Sequence, residues 1–86
     1  MKEYKTEVLI GRDGEQYFAL GVDIDYAAGG ATEHETRENF RHGLKRTLEL
    51  NIERYGTADR FCKPAPQYEI DEFGPKAVRY TETIIV

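Results

Sequence analysis

Apolar and polar residues alternate along the first third of the chain. Tyr4, Thr6, Val8 and Ile10 interleave with Lys5, Glu7, Leu9 and Gly11, the period of two that a half-buried strand needs. Arg12-Asp13-Gly14 breaks the run, and Asp-Gly is a strong hairpin signal because both residues tolerate positive φ. Gln16-Tyr17-Phe18-Ala19-Leu20 returns as a second strand. Val22-Asp23-Ile24-Asp25-Tyr26 alternates again as a third, with Asp23 and Asp25 together on its polar face. Three short strands joined by tight turns predict an antiparallel meander.

Ala27-Ala28-Gly29-Gly30-Ala31 reads as a break in that pattern, after which the period changes. Thr32 and Glu35 fit a capping box, in which the Thr32 hydroxyl accepts from the Glu35 amide and Glu35 reaches back to the Thr32 amide. From there Thr36, Phe40, Leu44, Leu48 and Ile52 recur every four residues, Thr47 and Tyr55 widen the stripe, and Gly56 is placed to end the helix. A helix over Thr32–Tyr55 follows. Residues 57–66 read as a loop, Gln67–Asp71 as a fourth strand and Lys76–Val86 as a final one, with Val78, Tyr80, Ile84 and Val86 on one face. The expected fold is α+β, one domain spanning residues 1–86. An antiparallel sheet carries one long amphipathic helix on one face in the order β-β-β-α-β, with one further strand.

Composition narrows the function classes. Sixteen acidic residues face twelve basic ones in 86 positions, a formal net charge of −4, which argues against a broad phosphate-binding surface. No apolar run approaches membrane-spanning length, and the mixed-charge start Met1–Glu7 carries no secretory pattern, so the cytoplasm is the expected compartment. A single cysteine, Cys62, makes no internal disulfide and holds no zinc alone.

The chemistry-bearing motifs are each incomplete. Gly29-Gly30-Ala31-Thr32 precedes a helix but lacks the glycine spacing and the Lys-Ser/Thr pair of a phosphate loop. His34, Glu38 and His42 stand at four-residue steps, yet the zinc-protease pattern puts its second histidine where Glu38 stands. Asp23 and Asp25 have chelating spacing and, for a Mg²⁺ nuclease, would still need carboxylates from a distant segment such as Glu69 or Asp71. A Cys62 nucleophile would need His34 or His42 brought to it. Arg37, Arg41, Lys45 and Arg46 form a basic patch interrupted by Glu38 and Glu49.

One resemblance gives these pieces a direction. Asp13-Gly14 with Tyr17-Phe18 after it, then Val22–Asp25, then Gly30-Ala31-Thr32-Glu33-His34-Glu35 with Asn39 in the second helical turn, resembles the HicB-like antitoxin family over residues 4–56. Ala31 and Thr36 stand where the family often has an acidic residue and an alanine. The resemblance implies a partial ribonuclease-H-like fold without catalysis and without a cofactor. It also implies a partner: a HicA-type toxin, an mRNA-cleaving protein neutralised by direct contact. Asp13, Gly14, Asp23 and Asp25 are then the expected partner-binding residues. The strands read after Gly56 leave no room for a DNA-binding module, so direct DNA binding is not expected, nor is a membrane role. Self-association as a dimer through the β-rich Ala77–Val86 segment is expected as well. Two other readings stay open: a Mg²⁺-dependent nuclease built on Asp23 and Asp25, or a stand-alone oligomer whose toxin is lost.

Overall fold

The computed structural model describes Met1–Val86. Its elements in order are β1 (Glu3–Asp13), β2 (Gln16–Gly21), β3 (Ala27–Gly30), α1 (Glu33–Tyr55), α2 (Gln67–Asp71) and β4 (Val78–Ile85). The strands make one antiparallel sheet in the order β3-β2-β1-β4, crossed by the long helix, an α+β arrangement. No helix is long and apolar enough to cross a membrane.

The alternation in β1 decides what each face does. Tyr4, Thr6, Val8 and Ile10 point toward α1 and are buried, meeting Phe40, Leu44 and Leu48 from the helix and Ile84 from β4. The helix begins and ends as the capping residues dictate. Thr32 Oγ1 accepts from the Glu35 amide at 3.0 Å, and Gly56 takes φ 79° to close the last turn onto the Ile52 carbonyl. Glu35 does reach back, but to the Ala31 amide at 3.2 Å rather than to that of Thr32. Tyr55, read as part of the buried stripe, is 54% exposed, with the Arg60 guanidinium 5.4 Å from its ring centre.

The other face of the sheet is covered only in part, over the middle of β1 and β2. Leu9 and Leu20 lie opposite each other on it, and both are buried. The chain after α1 crosses beneath them. The Ala65 amide donates to Val22 O at 2.9 Å, the Asp25 amide donates to Lys63 O at 2.7 Å, and the Phe73 ring lies on Gly11.

Two segments differ from the sequence pattern. Val22–Tyr26 is not a strand: Thr6 Oγ1 accepts the amides of Asp23 and Ile24, and Asp23 Oδ2 accepts the Glu7 amide at 2.8 Å. Short polar side chains thus compete with the ladder for these backbone groups and bend the chain, while Ile24 turns into the core. The third strand is instead Ala27–Gly30, the stretch that reads as a break, held because its small residues let α1 approach closely. A Cβ on Gly30 would lie 2.8 Å from Thr36 Oγ1. Gln67–Asp71 is a single helical turn, not a strand. Pro66 presets the entry at φ −60°, its carbonyl accepts from the Ile70 amide, and Gln67 bonds Asp71 across the turn at 2.8 Å.

Candidate functional site

The β1–β2 hairpin closes at the Asp13–Gln16 pair, so its two loop residues are Gly14 and Glu15 rather than Asp13 and Gly14, and Gly14 alone takes a positive φ, 64°. Beside this tip a cleft of about 340 Å³ opens on the face away from α1, lined by Gly11, Arg12, Asp13, Phe18, Glu72 and Phe73. Its origin is local. Gly11 has no side chain, so the Phe73 ring settles on the strand there, and Phe18, opposite Gly11 in the register, stays 45% exposed. A second hollow of about 360 Å³ shares Gly11, Arg12 and Phe73 and runs toward Lys76 and Val78.

The charge around Phe18 is unbalanced. Arg12, exposed on the rim, donates from Nε to the Gly14 carbonyl at 2.8 Å and lies over the Tyr17 ring. The hairpin tip and the α2 segment carry Asp13, Glu15, Glu69, Asp71 and Glu72, and none of the five Lys or Arg ion pairs in the protein includes them. Of these, Asp13 and Glu72 line the cleft with Phe18 and Arg12, and an exposed aromatic beside carboxylates that no ion pair takes up is suited to non-covalent recognition of a cationic surface.

Among the residues singled out by sequence, Asp13 lines this cleft and Gly14 follows it in the turn, whereas Asp23 and Asp25 stand at the other end of β2. A six-residue strand separates the two sets by roughly 20 Å. Asp23 and Asp25 are exposed on a bent loop rather than on one strand face, and Asp23 serves as a backbone clamp for Glu7. No three His, Cys, Asp or Glu side chains come together as a metal-binding group. His42 lies 3.6 Å from Glu38, without His34. Cys62 neighbours Asp59 and Lys2, and burial pushes its thiol above the ordinary range, which keeps it in the less nucleophilic form. The basic patch is partly consumed within the helix: Arg37 pairs with Glu33 and Arg41 with Glu38, each at 3.2 Å.

Phe18, Glu72 and Phe73 are not among the residues that the motifs single out. A signal for them exists in the pattern. Leu9, Phe18 and Leu20 take the parity opposite to the helix-facing residues, so something from beyond Gly56 has to cover part of that face and leaves Phe18 at the margin. Compared with protein-family models, with curated proteins and with solved structures, the chain matches none.

Proposed function

We propose that the protein is a binding module without catalysis of its own, and that it engages a basic protein partner at the hairpin cleft. By the resemblance in residues 4–56, that partner is an mRNA-cleaving toxin of the HicA type, met in the cytoplasm and blocked on its RNA-binding surface; the partial ribonuclease-H-like relationship belongs to the same reading. The observation that carries the proposal is Phe18, exposed between Asp13 and Glu72 with no cation of the chain paired to either. A toxin that cleaves RNA is basic where its substrate lies, so a surface of this kind competes with RNA for the same groups and speeds encounter at low salt.

The experiment joins the purified protein with a HicA-type toxin encoded beside its gene. Inhibition of RNA cleavage is expected at one-to-one stoichiometry. Phe18→Ala should weaken it at least about tenfold, the loss usual for a central aromatic anchor. Asp13→Asn with Glu72→Gln should slow association and flatten its salt dependence. RNA cleavage by the purified protein alone with Mg²⁺, abolished in both Asp23→Asn and Asp25→Asn, would replace the binding reading by a nuclease.

A further inference from the structure

The outer edge of β4 is unpaired, and the hydrogen-bond phase along β1 shows which groups it offers. Lys2 and Val86 exchange both backbone bonds, at 2.7 and 3.0 Å, so alternation places the amides and carbonyls of Val78, Tyr80, Glu82 and Ile84 toward β1. Those of Arg79, Thr81, Thr83 and Ile85 point outward, and no strand lies beyond them. The strand is eight residues long, without proline, and carries the β-branched residues Val78, Thr81, Thr83, Ile84 and Ile85. Val78 and Ile85, apolar at opposite ends of it, are 38% and 52% exposed.

We propose that this edge pairs antiparallel with β4 of a second copy, about a two-fold axis through Thr81, to make one eight-stranded sheet. The register follows from charge and parity. Outward-facing residues must meet outward-facing residues, and only two symmetric registers then pair seven residues of the strand. One centres on Glu82 and sets two carboxylates opposite each other with Cα atoms only about 4.5 Å apart, which is repulsive. The other centres on Thr81. It places Val78 against Ile84 of the second copy, Arg79 against Thr83, and Ile85 against Ala77, so both exposed apolar ends gain apolar neighbours. Glu82 of the second copy then stands opposite Tyr80. The Arg37 guanidinium lies 4.2 Å from the centre of that Tyr80 ring on a side chain 36% exposed, so the incoming carboxylate meets a cation rather than another carboxylate. This inference does not depend on the toxin reading, which concerns the cleft.

The test uses the full chain carrying Cys62→Ser, so that any introduced thiol is the only one. Thr81→Cys under mild oxidation is expected to give a disulfide-linked dimer, because Cα atoms of a hydrogen-bonded pair stand about 5.5 Å apart, within bridging range. Glu82→Cys is expected to stay single, since its own counterpart is offset diagonally, more than about 7 Å away. Sedimentation equilibrium of the unmodified protein at micromolar concentration should give twice the 9.9 kDa chain mass. Thr83→Pro removes one outward donor and no β1 bond, and should give the single-chain mass with an unchanged circular-dichroism spectrum. A monomeric unmodified protein, bridging through Glu82→Cys in place of Thr81→Cys, or a dimeric Thr83→Pro each overturns the proposal.

Discussion

At one side of the sheet β3 runs four residues, and its outward carbonyl at Gly29 is taken by Asn39 Nδ2 from α1 at 2.9 Å. At the other side β4 runs eight residues, and nothing in the chain occupies its outward groups. Ala-Ala-Gly-Gly has little intrinsic preference for a strand and holds as one because it is pressed between β2 and the helix. The other edge is the reverse, a strand by composition, rich in β-branched residues. A sheet edge is closed in this protein where small residues let a helix descend onto it. It stays available for pairing where β-branched residues keep the strand extended.

The contrast breaks most completely if the shared core is removed. Phe40 meets Tyr26 edge-on with ring centres 5.4 Å apart, just before β3 begins. Phe40→Ala should therefore destabilise the fold by about 3–5 kcal/mol in urea titration. Its hydrogen-exchange losses should be largest in β3, because β4 has its own ladder to β1. Next comes Gly43→Ala. On a helix surface this change gains up to about 1 kcal/mol, but here the new Cβ would strike the Tyr26 hydroxyl at 2.0 Å. The expected sign is reversed, a loss of about 1–3 kcal/mol by the same titration, and a stabilised variant would show that Tyr26 moves aside freely.

Asn39→Ala uncovers the Gly29 carbonyl. It should cost about 0.5–1.5 kcal/mol and raise exchange in β3 alone. The smallest effect sits at the corner where the N-terminus meets the end of β4, at the exposed Lys2–Asp59 pair. Its hydrogen bond to Lys2 holds the Asp59 carboxyl below its ordinary value of 3.8, and the bond to Asp59 lifts the Lys2 ammonium above 10.5. The Asp59 contribution is present above the ordinary carboxylate value and is lost as pH falls through the depressed one. The Lys2 contribution is present below 10.5 and is lost as pH rises through the raised value. Comparison of Lys2→Met with the unmodified protein should show a difference between those limits and none beyond them.

Elements stabilised locally are legible in the residues, and those held by distant neighbours are not. The helix carries its own start in Thr32, its stop in Gly56 and its buried face in a repeat of four. The turn after Asp13 carries its own geometry in Gly14, which alone can take the positive φ there. By contrast, Val22–Tyr26 alternates like a strand and fails as one because Thr6, seventeen and eighteen positions before Asp23 and Ile24, claims their amides. Within the cleft, Asp13 is visible from the turn. Phe73 and Glu72 become relevant only because a distant segment folds beneath Gly11.

The central place of β1 also sets the order of events in time. Its first partner, β2, lies just beyond a tight turn and closes on the microsecond scale of hairpins. Its other partner is remote: the Glu7–Arg79 contact joins residues 72 positions apart. Before that contact forms, the side of β1 that will receive β4 is itself an open template, and β4 from any copy of the chain fits it equally well. Refolding should therefore be slow for so short a chain, limited by the search that brings β4 home. At high concentration that search can end on the wrong molecule, leaving two chains that have exchanged their last strands.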